Sequence, residues 1–311
     1  MQELPARKVT VQDSFWSPRL DINAREAIFH QWDQLEASRC IDNFRIAAGE
    51  LDSFREGWFF SDSDAYKWLD AASRILVTHS STDLLKLVDN FIALLGRAQA
   101  PDGYLFTYNQ IHFPGQRWVS LQVEHELYCH GHLIEAGVSH FEATGKRDLL
   151  DIVVKAADLL LRDFLNAGPE KTDGHEEIEI ALLRLHNVTR KEDYLELARQ
   201  FIERRGRIPN FSVHMTREWQ ESKKRSAQVQ EMRKEYVKQH QDHREFRLPP
   251  GNTAKKPPNI NQRWYLSASE DSILNSMLQS AIRKSRLGML CASDTCRRPE
   301  PHFTGFHPIR L

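Results

Sequence analysis

Cysteine is scarce in this chain. Cys40, Cys129, Cys291 and Cys296 are too few and too scattered among 311 residues to build a disulfide framework. Long apolar runs are missing too: no stretch approaches the roughly eighteen apolar residues of a membrane span. The opening MQELPARKVTVQ has no apolar centre of the kind a secretory leader needs. A cytoplasmic protein with no membrane partner is therefore expected. Charge of one sign is also lacking, because 42 Lys and Arg stand against 43 Asp and Glu, a net charge of −1. That balance leaves no electrostatic footprint for nucleic acid.

What the chain has in abundance is helical patterning. After Lys8 to Trp16, KVTVQDSFW, whose alternation predicts a short strand ended by Pro18, apolar residues recur at helical spacing. Ile28, Phe29, Trp32 and Leu35 mark the inner face of a helix over 22–38. The aromatic, Gly-punctuated stretch 43–60 suits a loop folded over a pocket. Ser61, Asp62, Ser63 and Asp64 offer N-caps to the next helix, with Ala65, Trp68, Leu69, Ala72, Ile75 and Leu76 inward. Another helix starts near Ser81 and stops at Pro101-Asp102-Gly103. The aromatics of 104–108 then either stack on a sugar ring or plug the core, and the polar groups clustered nearby favour a sugar platform.

Helical segments follow at about 120–142, 146–165, 176–187 and 191–205. An internal echo runs through them: TGKRDLLDI at 144–152 resembles TRKEDYLEL at 189–197, with a weaker copy, STDLLKL, at 81–87. Each copy joins one helix to the next through a short polar turn, so the chain reads as successive antiparallel helical hairpins. Their unequal spacing fits a helical toroid better than a strict superhelical repeat. Residues 217–245 are dominated by Arg, Lys, Glu and Gln and read as a solvated helix or a partner-binding one. Seven of the thirteen prolines lie in 249–311, and that tail carries one weak helical pattern at 270–286.

Two stretches hold chemistry-bearing residues. VEHELYCHGHLIEA, 123–136, and Gly174-His175-Glu176-Glu177 each set a histidine beside carboxylates near a helix start. Two histidines and several acids converging on one end of a helical domain would make a sugar or metal pocket. His125-x3-Cys129-x2-His132 has the spacing of three zinc ligands, but Cys129 stands where the HExxH helix of zinc proteases has its second histidine. A packed cysteine and hydrogen-bonded histidines are the preferred reading. Cys291-x4-Cys296, with His302 and His307 beyond, lacks a second ligand pair at finger-like spacing. No metal ligand is assigned. Glu124, Glu126, Glu176 and Glu177 also admit an ordinary two-carboxylate glycosidase, for which acids about 5 to 10 Å apart suffice.

NFRIAAGEL (43–51), FFSDSDAYKWLDAA (59–72), residues 96–105, HELYCHGHLIEAGVSHFEATGK (125–146), DGHEEIEIALLRL (173–185) and YLELARQFIERRG (194–206) together resemble glycoside hydrolase family 127. This family, once a domain of unknown function, contains β-L-arabinofuranosidases, and the likeness covers about residues 8–210 in the family's order. It implies a mainly α fold, an (α/α)6 toroid represented here by its N-terminal part. Residues 1–210 would belong to that catalytic domain, 211–245 to a charged helical segment and 246–311 to a Pro-rich tail, disordered or read out of frame.

The resemblance implies hydrolysis of terminal β-L-arabinofuranosides with retention of configuration. The nucleophile would be a cysteine thiolate held by zinc beside two further cysteines and a glutamate, with a second glutamate as acid and base. Carried over by motif, His125 and His175 match histidines that hydrogen-bond the sugar, and Asp62 and Asp64 match a motif beside the pocket. The family's glutamates and cysteine cluster have no recognisable counterpart here, so catalytic residues and zinc are unassigned. The expectation is an arabinofuranosidase-like chain, truncated and impaired, with carbohydrate as its partner; the alternative is a non-catalytic sugar-binding or scaffolding remnant. Exposed helix faces would favour self-association.

Overall fold

A computed structural model of the protein describes residues 8–240, which are helical, without strands among the described residues. The strand expected at 8–16 is not formed. Pairing needs a neighbouring strand, and the Asp13 side chain instead accepts from the backbone N–H of Phe15 at 2.7 Å and from that of Trp16. This starts α1, Trp16–Ile22. Pro18 lies in its first turn, where the missing N–H costs nothing, so it opens a helix rather than ending a strand. A π-helical turn, Asn23–Ala27, joins α1 to α2, Ile28–Ala37.

Part of the expected loop at 43–60 is helical: α3 spans Cys40–Ala47, with Ile41 and Phe44 buried. The rest runs irregularly to α4, Asp62–Thr78. Ser81 caps α5, Thr82–Ala98, by accepting from the Leu84 N–H at 3.2 Å, a bond of the kind worth about 1 kcal/mol. The inward faces meet in one aromatic cluster. The Trp32 and Trp68 rings lie 4.5 Å apart, Phe91 sits edge-on to Trp32 at 5.4 Å, and Trp68 donates its indole N–H to the Ile28 carbonyl at 2.8 Å.

A short helix α6, Thr107–His112, precedes α7, Glu126–Thr144; then come α8, Asp148–Phe164, α9, Ile178–Thr189, and α10, Glu192–Arg204. α4, α7 and α9 pack side by side, and α5, α8 and α10 pack outside them. Three hairpins, α4/α5, α7/α8 and α9/α10, thus form two layers in the manner of an (α/α)6 toroid. α7 lies between α4, α8 and α9, so it is buried on most sides.

The sequence echo has a geometric counterpart. The Thr144 hydroxyl donates to the His140 carbonyl and accepts from the Lys146 N–H, and Thr189 does the same with Leu185 and Lys191. Gly145 and Arg190, the residues between, are both left-handed, at φ 72° and 60°, which ends each helix in an αL cap. Each lysine then reaches back to the previous outer helix, Lys146 to Asp89 at 2.8 Å and Lys191 to Asp158 at 2.7 Å. The repeat is a hairpin turn plus an anchor.

The charged segment forms α11, Phe211–His240, which starts six residues before the predicted helix at 217. It is not wholly solvated: Glu218, Ser222 and Arg225 are buried. The tail, including the weak helix at 270–286, Cys291 and Cys296, lies outside the described residues.

Candidate functional site

The helix expected from 120 begins instead at Glu126, and His125 stands at its N-cap with φ +59°. The left-handed region is uncommon for a residue with a side chain, though histidine enters it more readily than most. A backbone outlier at a candidate site directs attention to what it positions. Here it turns the imidazole back so that Nδ1 lies 2.5 Å from the Val123 carbonyl. A carbonyl only accepts, so Nδ1 carries the proton and Nε2 is an acceptor.

His175 meets that acceptor. The two Nε2 atoms are 2.7 Å apart, so His175 carries its proton on Nε2 and donates it to His125. Burial pulls the His125 imidazole down to about 4, and the hydrogen bond to Val123 only partly offsets this. His175 is likewise lowered, burial first. The pair is therefore neutral near pH 7, a polar edge suited to sugar hydroxyls, which lose water in a pocket and need partners.

Both flanking segments are held close. A Cβ on Gly174 would lie 2.5 Å from the Gln122 carbonyl oxygen, so only glycine lets the 174–175 turn approach the strand of chain before α7. Gln122 donates through its side-chain amide to the Thr172 carbonyl at 2.6 Å. Arg205, just past α10, grips the turn, donating to the carbonyls of Asp173, at 2.9 Å, and His175, and pairing with Glu179 at 2.7 Å. Aromatic rings wall the histidines. Phe59 and Phe60 each lie 5.4 Å from His125, and Tyr128 lies 5.5 Å from His125 and 5.0 Å from His175. Trp58 stacks parallel to Phe60 at 6.2 Å and is 59% exposed, an open ring beside the pair.

The platform expected of 104–108 is not available to a ligand. Tyr104, Phe106 and Tyr108 are buried and plug the core. The aromatic loop that does reach the histidines is 58–60.

Asp62 is fully buried and spends its oxygens on Thr107, accepting from its N–H and hydroxyl at 2.6 Å each, with the Arg55 guanidinium 3.5 Å away. Arg55 in turn donates to the carbonyls of Gly57 and Trp58. Asp62 thus ties the 55–61 loop to α4 and α6, and it makes no helix-capping bond. Asp64 is exposed in the first turn of α4.

Two of the four carboxylates near the histidines, Glu124 and Glu126, are occupied elsewhere. Glu124 pairs with Arg225 of α11 at 3.1 Å through both oxygens, both side chains 1% exposed. Glu126 accepts from the Tyr104 hydroxyl and from the Trp118 N–H at 2.8 Å, and burial pushes its carboxyl up to about 7. Glu176 is exposed, and Glu177 faces His132 at 3.0 Å. Arg225, Glu218 and Arg205 were not singled out in the sequence. A buried arginine in a run of charges differs from its solvated neighbours only in which partner it meets.

A zinc-held thiolate does not fit the described cysteines. Cys40 and Cys129 are buried, their thiols point at the Ser61 and Phe60 carbonyls at 3.2 and 3.7 Å, and burial raises both well above the ordinary thiol value. A zinc ligand must be a thiolate, and these sites oppose ionisation.

Comparison with known proteins agrees with this architecture. Residues 8–249 match the catalytic domain of the β-L-arabinofuranosidases of glycoside hydrolase family 127. A non-reducing end β-L-arabinofuranosidase of Bifidobacterium longum subsp. longum is 36% identical over 231 residues, 65% of this chain and 35% of its own length. The crystal structure of a family 127 β-L-arabinofuranosidase from Geobacillus stearothermophilus T6 superposes with a TM-score of 0.64 at 46% identity, over 69% of this chain and 35% of that one. A β-arabinofuranosidase of the same family superposes at 0.61 with 35% identity, over 66% of this chain and 34% of that one. The chain spans about a third of the length of these relatives. With the hairpin layers and the two histidine motifs in place, the chain belongs to glycoside hydrolase family 127.

Proposed function

We propose that this chain binds the terminal β-L-arabinofuranosyl group of plant-type glycans between His125 and His175, and that its own hydrolytic activity is absent or very weak. The observation that carries the reading is the neutral Nε2-to-Nε2 pair at 2.7 Å, walled by Phe59, Phe60 and Tyr128. A hydroxyl placed there can displace the histidine-histidine bond, accepting from one ring and donating to the other. The open face of Trp58 offers an apolar surface to the sugar ring. The family's activity motivates the substrate class. The impairment rests on the chemistry at hand, since Glu124 and Glu126 are held by Arg225 and Tyr104 and the described thiols by backbone carbonyls.

The test is a titration of the full chain with L-arabinose and a β-L-arabinofuranoside, followed by NMR, alongside a zinc-supplemented assay for released arabinose. Saturable binding that disappears in His125→Ala and His175→Ala, without release, is expected. Binding untouched by both substitutions would refute the pocket. Zinc-dependent release by the purified chain would refute the impairment.

A further inference from the structure

One helical turn beyond Tyr128, α7 carries a second constellation that the histidine pair does not use. His132 Nδ1 lies 3.0 Å from Glu177 Oε1, and Glu135 follows one turn further along the same face. One ligand atom from each of the three lies within 4.8 Å of the others. Residue 131 makes this approach possible. A Cβ there would fall 2.7 Å from Glu177 Cγ, so the start of α9 closes on α7 only over glycine.

The contact is close but unspent. The 3.0 Å approach is not aligned as a hydrogen bond, and neither Glu177 Oε1 nor the buried His132 Nε2 has a hydrogen-bond partner. The charges around it do not supply one. Arg184 is spread over Glu135, Ser139 and Glu142, each at 3.2 Å. Lys67 and Asp70 are the other charged side chains that act on both His132 and Glu177, with opposite signs. Lys67 itself lies over the Tyr128 ring at 4.9 Å.

We propose that His132, Glu135 and Glu177 form a binding site for a divalent transition cation of the zinc or manganese type. One imidazole nitrogen and two carboxylates suit such borderline cations, and bonds of about 2.1 Å to a tetrahedral ion set ligand atoms roughly 3.4 Å apart. That separation lies within the observed cluster. Burial keeps His132 neutral, with its imidazole pulled down to about 4, and so ready as a ligand. Burial and the neighbouring Glu135 push the Glu177 carboxyl up to about 7. The Tyr128 ring stands edge-on to His132 at 4.4 Å and lies tilted against His175 at 5.0 Å. The cation would therefore pin α9 to α7 directly behind the histidine pair. It is independent of the arabinose reading.

The probe is Co2+, titrated into the full chain carrying Cys291→Ser and Cys296→Ser, so that thiols of the tail do not compete. Visible spectra and equilibrium dialysis give ligand type and stoichiometry, and circular dichroism melts check that each variant is folded. We expect one Co2+ per chain with nitrogen and oxygen ligation. Affinity should fall at least tenfold in Glu177→Gln, Glu135→Gln and His132→Ala, and stay unchanged in His125→Ala. Absence of binding at millimolar Co2+, binding indifferent to all three ligand substitutions, or loss in His125→Ala would each overturn the proposal. Arabinose titrations on the same samples separate the two ideas, because sugar binding without cobalt binding sinks only the cation site.

Discussion

Gly174 and Gln122 touch so closely that no other residue fits at 174: an added Cβ would stand 2.5 Å from the Gln122 carbonyl oxygen. That contact sets His175 against His125. Gly174→Ala must push the turn away, and we expect arabinose affinity to fall about tenfold, about 1.4 kcal/mol. Gly96→Ala on α5 is the control, since its Cβ would meet only Ile152 Cδ1 at an ordinary 3.5 Å. There the helix should gain up to about 1 kcal/mol and binding should not change. Equal affinities in the two variants would show that the close approach does not position His175.

Arg225 fixes α11 through Glu124, Gln116 and Asn109, with its guanidinium 3.8 Å above the Phe113 ring. Removing one member of a buried pair strands a charge and costs about 3 to 5 kcal/mol. Arg225→Met and Glu124→Gln should each lower the urea midpoint strongly, and the double variant should recover part of the loss. Recovery stays partial because Gln116 and Asn109 also lose a donor. Additive losses would mean that the two side chains do not share one interaction.

α9 exposes Ile180 and Leu183, and α10 exposes Leu195 and Ile202. Apolar surface of this kind favours association of copies. Light scattering should detect species larger than a monomer that shift toward monomer when Ile180 and Ile202 are replaced by lysine. A monodisperse parent chain would contradict this.

Hairpin helices were legible because their apolar residues recur at a period that only one face can satisfy, as Leu84, Val88, Phe91 and Leu95 do. The Thr-x-Lys turns were legible as an echo because the same hydroxyl and lysine do the same work twice. The strand at 8–16 was misread because alternation says nothing about whether a partner strand is present, and the Asp13 cap was a local competitor. α3 was hidden by the glycine and aromatics that follow it. His125 and His175 stood out as motifs, but their bond depends on Gly174 and on a left-handed backbone, which become visible only in three dimensions. Arg225 looked like any solvated charge.

Glu126 gives the fold a pH dependence whose sign follows from its burial. Its carboxyl is pushed up from 4.5 to about 7, because desolvation outweighs the hydrogen bonds from Tyr104 and Trp118. Between those values the folded protein holds a proton that the unfolded chain has released. Stability from this group is therefore fully present below pH 4.5 and is lost as pH rises through 7, by about 3 kcal/mol for a shift of this size. Glu177 and Glu218, also pushed up to about 7, act in the same direction. His125, His130 and His132, pulled down to about 4, act oppositely between 4 and 6.5. The raw stability curve mixes all of these. The difference between the parent chain and Glu126→Gln cancels every group but one. Urea melts at pH 4.5, 6 and 8 should show the variant gaining on the parent at each step. Parallel curves would mean that Glu126 is already ionised in the fold, with Tyr104 and Trp118 outweighing its burial.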